Sequence, residues 1–162
     1  MTGKPCVGQA ACARCHQAAL NFWQKTVHAQ AWKTLTDIDK QYSYDCIGCH
    51  TTGFDRPGGC NLATAEKRQL TNVQCEVCHG AGSLHVAESG EEEPPSLVRK
   101  PVANFCTDNC HTKDHSDSFE RSAYLRDILG LGHGEKARAG LGSGPTGREL
   151  RQQALAKAAA RQ

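Results

Sequence analysis

Cysteine and histidine recur along this chain in one fixed order. Cys12-Ala13-Arg14-Cys15-His16, Cys46-Ile47-Gly48-Cys49-His50 and Cys75-Glu76-Val77-Cys78-His79 are three copies of C-x-x-C-H, and Cys106-Thr107-Asp108-Asn109-Cys110-His111 is a fourth with one more residue between its cysteines. C-x-x-C-H is the attachment pattern of c-type haem. Two thiols so spaced form thioethers with the two porphyrin vinyl groups. The chain then turns to set the next residue under the iron, where an imidazole nitrogen is the ligand. Paired C-x-x-C elements also build structural zinc sites, but such a site gives no reason for His to follow the second Cys four times. A thioredoxin-like pair needs a single C-x-x-C on a βαβ framework. The pattern therefore assigns Cys12, Cys15, Cys46, Cys49, Cys75, Cys78, Cys106 and Cys110 to the covalent attachment of four haem c groups, with His16, His50, His79 and His111 as the first ligands to their irons.

Composition points the same way. Leu, Ile, Val and Phe are 26 of the 162 residues, below the roughly 20% at which a chain struggles to bury a core. Disorder usually accompanies such poverty together with high net charge, yet 19 basic residues here nearly cancel 17 acidic ones. Four haems leave about 40 residues each, a size at which a domain needs covalent staples. The porphyrins are then the core and the thioethers the staples. Macrocycles at that density lie close together, as rapid electron transfer between them requires. The expected fold is mainly α with extensive loops and little β structure, organised around four covalently bound haems.

Four histidines remain for the opposite faces of the irons: His28, His85, His115 and His133. The only methionine is Met1, so six-coordinate irons are expected to be bis-histidine, with low potentials. His28 falls within an apolar stripe of Leu20, Trp23, Val27, Ala31 and Leu35 that reads as one helix. His85 follows the flexible Gly80-Ala81-Gly82-Ser83-Leu84, and His133 sits in Gly130-Leu131-Gly132-His133-Gly134 after a helix-like stretch from Phe119 to Leu129. His115, four residues past His111, cannot easily reach the other face of the same haem, so it serves another haem or none.

The remaining cysteines are Cys6 and Cys60. Haem is attached on the outer side of the cytoplasmic membrane, where disulfides persist, so a Cys6–Cys60 bridge is expected, tying the N-terminal arm to the Gly58-Gly59 turn. The same chemistry places the protein in the periplasm or outside the cell. No signal peptide is read in Met1-Thr2-Gly3-Lys4-Pro5, and no apolar run approaches the roughly 20 residues that span a bilayer. The dispersed basic residues exclude a nucleic-acid binder. Glu91-Glu92-Glu93-Pro94-Pro95 reads as a solvated connector. Residues 1–140 are expected to form the haem domain, and 141–162 a Gly-rich linker and a basic Ala-rich helix of the same unit, opened by the capping box Thr146-Gly147-Arg148-Glu149.

Three stretches carry a family resemblance. Cys12 to Leu35 with Trp23 and Thr26-Val27-His28-Ala29, Asp45 to His50 followed by Gly53-Phe54 and Gly58-Gly59, and Leu70 to Gly82 with Cys75-Glu76 and Cys78-His79-Gly80-Ala81-Gly82 resemble the first three haem segments of the cytochrome c-554 family, tetrahaem electron carriers linked to hydroxylamine oxidation. The likeness spans roughly residues 5–125 and fades after Cys110. It implies a compact, mostly helical multihaem cytochrome c fold with haems in stacked pairs. It also implies that His28 ligates the iron of His79, that His85 ligates the iron of His16, and that His133 caps the haem of His111. The family's second haem, here that of His50, can lack a protein sixth ligand and is connected with nitric oxide chemistry; His115 is the candidate to fill that place. The first functional reading is electron transfer between redox proteins, other cytochromes or a haem oxidoreductase. The alternatives are an enzyme in which one five-coordinate haem reduces nitric oxide or a related nitrogen species, and a subunit of an extracellular cytochrome filament or other oligomer.

Overall fold

The computed structural model describes residues 5–91 and 93–161. Met1, weighed above as an iron ligand, and Glu92 of the acidic run lie outside them. The chain divides into two units, Met1–Val102 and Ala103–Gln162. The first carries α1 (Gln9–Ala13), α2 (Gln17–Trp23), the 3-10 helix η1 (Val27–Gln30), α3 (Ala31–Thr36), α4 (Tyr44–His50), α5 (Cys75–His79) and α6 (Ser83–Ala87). The second carries α7 (Phe105–Asn109), α8 (Arg121–Ile128), α9 (Glu135–Ala139) and α10 (Gly147–Ala159). Among the described residues, β structure is limited to two isolated bridges, Thr51 with Thr71 and Phe54 with Cys60. No described helix is long and apolar enough to cross a membrane.

Most of these helices are one or two turns, lengths at which an isolated helix does not persist in water. Local geometry ends α4 and α5 where their attachment motifs end. After His50 the chain leaves α4 through Thr51 in an extended conformation. After His79 it leaves α5 through Gly80 at φ 82°, where a Cβ would meet the carbonyl oxygen of Ser96 at 2.1 Å, so only glycine fits.

The single helix expected through Leu20, Trp23, Val27, Ala31 and Leu35 is not formed. Thr26, buried and extended, donates its hydroxyl to Trp23 O at 2.7 Å and separates α2 from η1. Val27 is consequently 60% exposed while Ala31 and Leu35 are buried. A threonine whose side chain serves the preceding turn competes with helix continuation, and the apolar spacing alone conceals that competition.

Apolar packing is thin, as the composition requires. The buried hydrophobic residues among those described are Ala31, Leu35, Ile47, Cys60, Ala65, Leu70 and Ala123. Polar residues do much of the joining in the first unit. Buried Gln74 donates its amide to the carbonyls of Gln69 and Thr71 at 2.7 and 2.8 Å and accepts from Gln9 N–H at 2.7 Å. Thr52 donates to Asn72 O at 2.8 Å, and Trp23 Nε1 donates to Val73 O at 2.9 Å.

In the second unit α10 packs on α8. The Thr146–Glu149 capping box is present, with Glu149 Oε2 accepting from Thr146 N–H at 2.7 Å and Thr146 Oγ1 accepting from Glu149 N–H at 3.3 Å. Leu155 of this helix is 59% exposed. Arg126 of α8 secures the loop before α10 by donating to the carbonyls of Leu141 and Pro145 at 2.8 Å, Ser143 at 3.1 Å and Gly142 at 3.4 Å. Replacing Thr146 with Ala is expected to cost about 1 kcal/mol, read as a lower denaturant midpoint at unchanged slope.

Candidate haem-binding site

The first and fourth attachment motifs are tight turns that return the histidine to the first cysteine, and the second and third close the helices α4 and α5. In the first motif, His16 N–H donates to Cys12 O at 2.9 Å. In the fourth, Cys110 N–H and His111 N–H both donate to Cys106 O, at 3.1 and 2.8 Å. The additional residue is thus taken up as one widened, π-type turn. His111 keeps the backbone relation to Cys106 that His16 has to Cys12, despite the longer spacing.

The histidines that follow the second cysteines are oriented by backbone. His50 Nδ1 lies 2.6 Å from Ala31 O, and His79 Nδ1 lies 2.8 Å from Val98 O. A carbonyl can only accept, so Nδ1 carries the proton in both rings and Nε2 keeps its lone pair. This is the arrangement in which a metal-ligating imidazole is fixed by its outer partner. His111 Nδ1 lies 3.1 Å from Ser116 Oγ, and its ring stacks on Phe119 at 4.6 Å and meets Tyr124 edge-on at 5.2 Å. Burial among these aromatics holds its pKa below the usual histidine value.

The expected sites are brought together in part. The rings of His16 and His85 lie nearly parallel, 19° apart in plane, with centroids 6.3 Å apart. That gap accommodates two metal–imidazole bonds of about 2 Å each together with the two half-rings. His85 belongs to α6, so the segment read as flexible is helical from Ser83. The first and third motifs are neighbours: Cys12 of α1 and Cys75 of α5 share a side-chain hydrogen bond, which raises the Cys12 pKa and lowers that of Cys75. Cys106 is raised by burial. His28 lies half-buried in η1, its carbonyl accepting from Val73 N–H at 3.1 Å. His133 is half-buried in the loop after α8, its N–H on Gly130 O at 3.2 Å. His115 is exposed and lines a surface hollow of about 300 Å³ with Lys113, Asp117, Arg151 and Leu155.

The residue that sequence reasoning passed over is Glu76. It is 7% exposed, and its carboxyl oxygens accept from the N–H groups of Val7 at 3.0 Å, Gly8 at 2.8 Å and Gly82 at 2.7 Å. One side chain inside the third motif thereby holds both the segment entering α1 and the segment entering α6. The available signal was an acidic residue within an attachment motif.

Known proteins resemble this chain. The model of the family described as "Cytochrome c554 and c-prime" matches residues 11–80. Cytochrome c-554 of Nitrosomonas europaea is 37% identical over 93 residues, which cover 48% of this chain and 39% of that protein, so the matched stretch spans about two fifths of the relative's length. The solved reduced state of cytochrome c554 from Nitrosomonas europaea superposes with a TM-score of 0.59 at 21% identity, covering 88% of this chain and 99% of that one. In sequence over residues 11–80, and in fold over most of its length, this chain resembles the cytochrome c554 family.

Proposed function

We propose that this protein is a tetrahaem c-type cytochrome that carries electrons between redox protein partners in the periplasm or outside the cell. The observation that carries this reading is the His16–His85 pair, two near-parallel imidazoles at the separation an iron between them would set. The donor set fits the group: each motif offers two thiols and an imidazole, and in His50 and His79 the Nδ1 proton is committed to a carbonyl, leaving Nε2 as the ligand atom.

Cys12 and Cys15, Cys46 and Cys49, Cys75 and Cys78, and Cys106 and Cys110 hold the four groups through thioethers. His16, His50, His79 and His111 would supply the first nitrogen ligands. His85 supplies the second for the group of His16, and His28 for that of His79. His133 serves that of His111, and His115 is retained as a candidate ligand. When bound, haem supplies a one-electron ferric–ferrous couple. The chain's own part is to fix ring orientation through Ala31 O, Val98 O and Ser116 Oγ, and to bury His111 between Phe119 and Tyr124.

Intact mass and electron paramagnetic resonance of the protein matured with haem test this reading. The expected mass exceeds the polypeptide by four haem groups, and the ferric spectrum is dominated by low-spin signals. A colourless protein with the mass of the bare polypeptide overturns it.

A further inference from the structure

Cys6 and Cys60 are the cysteines that the four attachment motifs leave over, and the first unit brings them to one place. Cys60 is 4% exposed in a cluster with Ala65 and Leu70, and Cys6 packs against that cluster beside Trp32 and Phe54. The backbone of Cys6 is pinned on both sides. Its N–H donates to Gly58 O at 2.8 Å, and its carbonyl accepts from Arg68 Nη2 at 3.4 Å. The same guanidinium donates to Gly58 O at 3.0 Å and to Gly59 O. Cys60 N–H donates to Gly53 O at 3.1 Å, and a Cβ placed on Gly53 would come within 2.9 Å of Cys6 Sγ. Gly53 therefore borders both cysteines, and its missing side chain admits the Cys6 sulfur.

The expected bridge is not formed in this structure, where both are free thiols and Cys60 Sγ donates to Thr52 O at 3.4 Å; we propose that the two are joined by a disulfide in the mature protein, cross-linking the N-terminal arm to the loop that follows the second attachment motif. The pairing rests on the contacts above; its oxidising surroundings rest on the reading given under the proposed function. As the Sγ–Sγ bond forms, the two thiols give up two protons and two electrons. The acceptor is the disulfide of a thiol–disulfide exchange protein, released as its dithiol. The closed loop contains the first two attachment motifs. The burial of Cys60 shields its sulfur from an external thiol, so the bond resists reduction once formed. The arm that it fixes is also the one whose Val7 and Gly8 N–H groups reach Glu76.

The test uses the full-length holoprotein, denatured in iodoacetamide without reductant. No alkyl group should add, a digest should yield a peptide pair linked through Cys6 and Cys60, and reduction with a phosphine should open two sites to alkylation. Alkylation of both cysteines before reduction overturns the proposal, as does haem found on either one. Cys60→Ser should lower Tm by about 10 °C with the haem absorption per chain unchanged, and Cys6→Ser should reproduce that shift. A Tm unchanged by both also overturns it. A linked peptide in a chain that takes up no haem would uphold the disulfide and overturn the electron-carrier reading.

Discussion

The His85→Ala protein, in its ferric state, is expected to show a high-spin signal from one haem per chain where the native protein shows low spin. His85 stands opposite His16 at a centroid separation of 6.3 Å, and alanine removes one nitrogen of that pair while α6 keeps a good helix former. Only His16 would then remain to hold the iron at this site, and the weaker ligand field of a single imidazole would give the high-spin signal. Added imidazole should restore the low-spin spectrum, which separates loss of a ligand from loss of the fold. Because a nitrogen donor is withdrawn from one iron, the potential of that haem alone should move. An unchanged ferric spectrum in His85→Ala would remove His85 from the ligand set.

Glu76→Ala is expected to produce the largest loss of stability. The carboxyl group satisfies the N–H groups of Val7, Gly8 and Gly82 in a place that is almost closed to water. Each buried donor left without a partner costs about 1–3 kcal/mol, and relaxation toward solvent recovers part of that, so about 3–5 kcal/mol is expected overall. Chemical denaturation of the holoprotein reads this as a fall in midpoint at constant slope. Glu76→Gln, which keeps an accepting oxygen but turns an amide donor toward these N–H groups, should fall between native and alanine. A loss below about 1 kcal/mol for the alanine variant would show that water replaces the carboxyl. The Gly82 contact lies just before α6, so the same substitution should also broaden the low-spin signal of the haem ligated by His85.

What the sequence made legible was chemistry tied to short spacing. The four motifs stand out because thioether attachment would dictate their residue order, and the first and fourth close as tight turns on Cys12 O and Cys106 O. The capping box at Thr146 was legible for the same reason, since its partners lie three residues apart. The helix through Leu20 to Leu35 was misread because periodicity records which residues are apolar and not which side chains bind backbone; Thr26 breaks the run while preserving its spacing. Glu76 escaped notice because its partners lie 69, 68 and 6 residues away. Chains with few aliphatic residues depend on such long-range polar closures, and spacing carries no trace of them.

Arg126 sets how the second unit responds to its medium. Its guanidinium is held by four carbonyl dipoles, none of which titrates, and contacts this short leave dissolved ions little room to intervene. Lys33 with Asp37 and Arg99 with Glu93 are exposed ion pairs, which brine weakens. In strong brine those pairs loosen first, and the turn gathered around Arg126 keeps its shape.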